Sequence, residues 1–257
     1  MRIDSYFFTD NLFILRGWPY ALDDFSSIEL ALLSRFLYDA AMRLISFFLY
    51  FLCLNAHAFD LSHLSREERN RLYNGEFVLK TQKVKDAPWP RLTILRIIDS
   101  EPVLFAAFFA NFEEQINYVP KLIKAKELVG SNPLDVAVDY EMNLPWPLSN
   151  ARYTHAHRLS WEEEKNYIKV EWYLVQSSVA DHVEGFAEFF PYNQKTLWHY
   201  QAFVRPKSAL AGFFSSNMQK DTLASLRATL EAFKRSDKNL IDASTKLWRT
   251  RFKRSTK

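Results

Sequence analysis

The chain has 257 residues, with 33 Lys and Arg against 30 Asp and Glu, a formal net charge of +3. Apolar residues make up 48% and charged residues 25%, the balance of an ordinary globular protein, which excludes a disordered, collagenous or coiled-coil chain. Five glycines with no glycine-rich phosphate loop exclude the common nucleotide-binding α/β folds, and a single Cys excludes a disulfide framework and a cysteine-based zinc site. The excess is aromatic: 22 Phe, 12 Tyr and 7 Trp.

The first feature along the chain lies at Met42. Arg43 precedes an unbroken apolar run over 44–54, and Ala56-His57-Ala58 follows. A positive residue, a short apolar run and small residues at alternate positions form the layout of a secretory signal peptide, here 42–58 with a cut after Ala58. The run is much shorter than the roughly 20 residues a membrane-spanning helix needs. Residues 1–41 carry Arg2, Arg16 and Arg35 against Asp4, Asp10, Asp23, Asp24, Glu29 and Asp39. A signal needs a positive leading segment, so 1–41 are expected to be an upstream extension, with translation starting at Met42. Cys53 would leave with the signal. Tyr50, Phe51 and Leu52 before it are too bulky for a lipoprotein signal. The expected product is periplasmic or secreted.

After the cut, 64–73 forms a polar helix candidate, with Ser65 and Glu68 as a capping box, and Asn74-Gly75 marks a turn. Alternation predicts strands over 77–81 and 92–98, separated by Pro88-Trp89-Pro90. Asp99 or Ser100 then caps a short apolar helix with Pro102 in its first turn, and 112–118 continues helically to Pro120. Beyond Pro120 the period becomes two. Six strands are predicted at 122–129, 136–142, 151–159, 167–175, 185–190 and 196–204, joined by turn sequences, which implies an antiparallel meander. One long amphipathic helix follows over 215–233, with Met218, Leu223, Leu226, Leu230 and Phe233 on one face.

This is an α+β chain in which only the long helix can cover the apolar face of the meander. The order of two strands, two short helices, a meander and a long helix resembles the helix-grip fold, a curved antiparallel sheet wrapped around a C-terminal helix. In detail it resembles the bacterial START (lipid-transfer) domains. The resemblance rests on Phe112-Glu113-Glu114-Gln115-Ile116-Asn117-Tyr118-Val119-Pro120, on Pro145-Trp146-Pro147-Leu148-Ser149-Asn150-Ala151-Arg152-Tyr153, and on the closing helix from Phe213 to Phe233. It covers about residues 70–235. Ala151 stands where the family usually has Asp. The resemblance implies a domain over 59–235, a deep cavity under the C-terminal helix, and one lipid or other apolar ligand inside it. No cofactor and no metal are expected. The alternative on the same fold is an enzyme of the polyketide cyclase or aromatase kind, which needs several polar groups converging in the cavity, such as Arg152 with a His or Glu188.

Strand alternation and the facing helix place Trp172, Phe186, Phe190, Trp198, Tyr200, Phe213, Phe214 and Met218 around the cavity. Arg152 is expected to orient a carboxylate or phosphate there. His155 and His157 share a strand face with Tyr153. Their charged neighbours suggest an exposed face, and no third metal ligand is evident. Asp181-His182 and His199 lack the Gly-x-Ser-x-Gly turn of a triad hydrolase. Residues 236–257 read as a basic tail, with Leu247, Trp248 and Phe252 among the charges, suited to an anionic membrane surface rather than to nucleic acid. The expected particle is a monomer, a carrier rather than an enzyme, whose long helix and Trp146 loop gate the cavity.

Overall fold

The structure is a computed structural model that describes residue 43 and residues 59–128, 132–143, 150–208 and 215–255. The expected signal peptide, its cut after Ala58, the Trp146 loop, Phe213 and Phe214 lie outside the described residues. Helix α1 (Arg66–Tyr73) opens with the expected capping box: Glu68 N donates to Ser65 Oγ at 3.1 Å, and Ser65 N donates to Glu68 Oε2 at 2.7 Å. Gly75 follows at φ +70°, a left-handed turn that a side chain would strain. Strands β1 (Val78–Gln82) and β2 (Arg91–Ile98) come next. Then comes α2 (Pro102–Phe109), with Pro102 in its first turn and Glu101 at the N-cap, one residue beyond the expected cap. A 3-10 turn spans Phe112–Asn117.

The meander is β3 (Leu122–Glu127), β4 (Asp135–Met142), β5 (Ala151–Glu162), β6 (Tyr167–Ser177), β7 (Ala180–Tyr192) and β8 (Lys195–Pro206). All eight described strands join one sheet in the order β1-β2-β8-β7-β6-β5-β4-β3, with antiparallel neighbours throughout. Between β7 and β8 the pair Tyr192↔Lys195 encloses Asn193 and Gln194, both left-handed at φ 47° and 62°, the two-residue turn whose twist suits a tight hairpin. In β5 and β6, Thr154 opposes Gln176 and His155 opposes Leu174, so Val175 is the extra residue of a bulge.

Both faces of the sheet are covered. On the outer face, Phe59, Leu61, Leu64 and Leu72 from the segment around α1 pack on Val78, Leu95, Leu197 and Phe190. On the concave face lie α2, α3 (Ser215–Arg235) and α4 (Lys238–Ser255). Helix α2 is buried on nearly every side. Its Phe105 meets Phe189, Trp198 and Phe233 at ring distances of 5.7, 5.0 and 5.1 Å, so aromatic packing closes one end of the trough.

The expected basic tail is instead α4, 18 residues of helix within the unit His57–Lys257. Ser244, Trp248 and Arg251 are buried in it, and Asn111 Nδ2 donates to Ser244 Oγ at 3.0 Å. Arg251 reaches Glu127 of β3 at 2.6 Å with only 9% of its side chain exposed. The domain therefore extends past residue 235. Trp248, expected at a membrane, belongs to the core. Among the described residues no helix is long and apolar enough to cross a membrane.

Candidate functional site

Burial is graded along α3. Its C-terminal half buries Leu226, Thr229, Leu230 and Phe233, whereas Met218, Thr222 and Leu223 in its N-terminal half keep accessible surface. The sheet opposite behaves the same way. Toward α2 the concave face is filled, by Trp198, Phe189 and Ile168. Away from α2 it presents Tyr153, His155, Leu174, Tyr200, Ala202 and Val204, all facing inward and all partly accessible. The trough thus has a packed end and an end with room beside the protein's own side chains.

The roomy end is lined by hydrogen-bonding aromatics. Cross-strand pairing puts Tyr140 beside Tyr153 and Val138 beside His155, so one alternate set of β5, Tyr153-His155-His157, points inward. Tyr140 and Tyr153 stack at 5.3 Å, and Tyr153 and His155 lie 4.7 Å apart. The Tyr140 hydroxyl and His157 Nε2 are hydrogen-bonded at 3.2 Å, and Phe112 lies 4.1 Å from the His157 ring. Burial pushes the phenols of Tyr140, Tyr153 and Tyr200 well above the usual range, and the nearby Tyr200 phenol adds to the effect on Tyr153. Burial lowers His155 from 6.5 to about 4 and holds His157 well below its ordinary value, with His155 and Arg251 adding to the latter. Tyr153, His155 and Tyr200 combine strong desolvation with residual accessible surface. At neutral pH the whole set is uncharged.

These histidines set a pH dependence. Their folded-state affinity for protons is below that of the unfolded chain, so falling pH favours unfolding as soon as the unfolded imidazoles titrate. Stability is expected to decline from pH 6.5 toward pH 4, the interval between ordinary and folded values of His155. His155→Phe removes one of these groups and is expected to flatten that acid limb. Urea midpoints measured across the interval check this, and an unchanged limb would show that His155 is not desolvated.

Trp172 crosses this face sideways. It pairs with Gly185 of β7, and its indole packs on Tyr200 of β8 at 5.2 Å. A Cβ on Gly185 would stand 2.4 Å from Trp172 Cζ2, so the missing side chain is what lets the ring lie across β7.

The expected cavity residues divide. Trp172, Trp198 and Tyr200 are on the concave face. Met218 lies in the accessible half of α3. Phe186 and Phe190 are on the outer face, because Gly185↔Trp172 and Ala187↔Val170 put the other alternate set of β7 inward. There Phe186 sits 5.1 Å from His199, and Phe190 packs on Phe59 and Tyr167 at 5.2 and 4.9 Å. Arg152 also points outward, 74% exposed, and pairs with Glu141 at 3.4 Å rather than with anything in the trough. Glu188 is outside as well, bonded to His199 at 2.9 Å and to Tyr167 at 2.8 Å. The inward Tyr153, His155 and His157 were expected on an exposed face. The signal that placed them inside was the run Tyr153, His155, His157, Leu159, Trp161, whose charged neighbours Arg152 and Arg158 belong to the opposite face. Among the described residues no group of three His, Cys, Asp or Glu is arranged to hold a metal.

No protein-family model matches the chain, and no curated protein matches it. Solved structures do. A STAR-related lipid transfer protein fragment from Xanthomonas axonopodis aligns with a TM-score of 0.55 at 12% identity, over 62% of this chain and 94% of that one. The fold is the START-like helix grip. Human StAR-related lipid transfer protein 5 aligns at 0.52 with 8% identity, over 63% of this chain and 83% of its own. The lipid transfer and protein localization domain of human StarD13 aligns at 0.50 with 10% identity, over 69% and 98%. In the helix grip of this chain, α3 is the gripped helix, and the roomy end of the trough lies under its N-terminal half.

Proposed function

We propose that this protein is an exported carrier that holds a lipid or other apolar molecule in the trough beneath α3, and that it is not an enzyme. One observation carries the reading: inward-facing side chains at one end of the trough are desolvated and yet keep accessible surface. A ligand seated there gains on the order of 25 cal/mol for each Å² of apolar surface removed from water. The Xanthomonas and human neighbours named as lipid-transfer proteins make a lipid the natural first candidate.

The cyclase or aromatase alternative draws on the Tyr140–His157 hydrogen bond inside the trough. An acid–base catalyst needs a proton affinity near the working pH. His157 is driven well below that range and Tyr140 well above it, and Arg152 and Glu188 stand on the outer face. Carriage therefore fits these residues better than catalysis.

Export rests on the 42–58 pattern, and N-terminal sequencing of the secreted or periplasmic protein is expected to begin at Phe59. Contact with anionic membrane rests on α4, where the exposed Lys246 and Arg254 lie beside Leu247, itself 40% exposed. Each such cation contributes about 1 kcal/mol near an anionic surface. Co-sedimentation with phosphatidylserine vesicles is expected to fall for Lys246→Glu/Arg254→Glu. Equal sedimentation of both forms would remove α4 from the docking surface. The carrier reading itself is tested by native mass spectrometry of protein purified from its own cells. A bound apolar molecule released on denaturation is expected, and protein that arrives empty and takes up no apolar probe would overturn the reading.

A further inference from the structure

Tyr153, His155 and Tyr200 are partly accessible on the concave face, and none makes a hydrogen bond among the described residues. A phenol both donates and accepts, and so does a neutral imidazole. The cations that would balance an ionised ligand are directed elsewhere. Arg152 is outside with Glu141, and Arg251 is paired with Glu127. Arg96 has a buried Nε with no hydrogen-bond partner among the described residues, but its guanidinium is turned over the Phe77 ring and beside Gly75, near Arg227 and Glu231 in the C-terminal half of α3. Lys121 is exposed and held by Asp221 at 2.8 Å. An anion desolvated against these three side chains would have hydrogen-bond donors but no countercharge, a costly arrangement in a low-dielectric site.

We propose that Tyr153, His155 and Tyr200 form a headgroup site for an uncharged hydrogen-bonding group, a hydroxyl or a carbonyl, borne on an apolar molecule, and that the site discriminates against carboxylate and phosphate heads. This rests on the carrier reading and names the class of molecule carried. The hydroxyl of such a ligand donates to one of the three polar groups and accepts from another. Its apolar body extends past Trp172 and Leu174 toward Val204 and the N-terminal half of α3.

The test compares two probes of equal chain length, 1-dodecanol and dodecanoate, titrated into the full chain at pH 7.5 and read by tryptophan fluorescence. The alcohol is expected to bind roughly tenfold tighter or better. Tyr153→Phe/Tyr200→Phe removes only two hydroxyls, and its folding is checked by the urea midpoint. It is expected to bring the two probes to within about threefold of each other. If that variant fails to fold, His155→Phe serves, with a partial loss of the preference expected. Equal affinities, a preference for dodecanoate, or a preference that survives in the variants overturns the headgroup site and leaves the carrier standing. Binding of neither probe overturns both.

Discussion

Trp248→Ala is expected to cost about 3–5 kcal/mol of folding stability, the range for emptying a buried Trp site. Trp248 is 2% exposed, and its ring lies 4.9 Å from Phe252, which in turn meets Trp161 of β5 edge-on at 5.6 Å. Its indole nitrogen has no hydrogen-bond partner among the described residues, so the loss is one of packing and not of a polar contact. The neighbours cannot close the gap cheaply, because the Asn111–Ser244 and Arg251–Glu127 contacts hold α4 at fixed points on either side. Urea unfolding measures the change, and an unaltered slope would show that the folded state is otherwise intact. A loss within about 0.5 kcal/mol, the size expected of a surface substitution, would mean that α4 detaches from the domain. Removing α4 outright is for the same reason a poor test of membrane docking, since it removes core as well as charge.

The order of strands was legible from the period of two and from turn residues such as Asn74-Gly75 and Tyr192-Asn193, because those signals are local. The face of β7 was not. Its two alternate sets are Val183, Gly185, Ala187, Phe189 and Glu184, Phe186, Glu188, Phe190, and the second carries more large aromatics. Small residues line the inner face because Trp172 lies across β7 at Gly185, while α2 brings Phe105 and Phe109 against Phe189. Large residues line the outer face because Phe59 and Tyr167 cover it. When a strand is buried on both sides, alternation no longer tells inside from outside. Helix α4 was hidden for a different reason. Its inward-packed positions Ile241, Ser244, Trp248 and Phe252 follow helical spacing, but nine Lys and Arg from residue 234 onward made net charge the dominant feature. At Arg152 the sequence likeness pointed into the trough, and the register Glu141↔Arg152 turned the side chain outward to an acid on the adjacent strand.

Gly185→Ala is expected to destabilise the protein by about 1–3 kcal/mol, the cost of overfilling a packed site, and to weaken ligand binding beyond that. The new Cβ would meet Trp172 Cζ2 at 2.4 Å and the carbonyl oxygen of Gln201 at 2.5 Å. The two contacts differ in how they can yield. The indole can swing aside at the expense of its stacking on Tyr200, whereas the carbonyl belongs to the backbone of β8 and moves only if the ladder distorts. Backbone conformation adds nothing to the penalty, since Gly185 is not among the residues at positive φ. Introducing Trp172→Ala first should relieve the side-chain contact and leave the backbone one, so Gly185→Ala is expected to cost less in that background without becoming neutral. The difference between the two costs is the coupling between Gly185 and Trp172. Equilibrium unfolding of the four chains yields it, and zero coupling would mean that the indole does not lie across β7. The same displacement takes the indole away from Tyr200, beside the proposed headgroup site. The 1-dodecanol affinity of folded Gly185→Ala should therefore drop, while that of Phe186→Leu, altered one residue away on the outer face, should stay at the wild-type value.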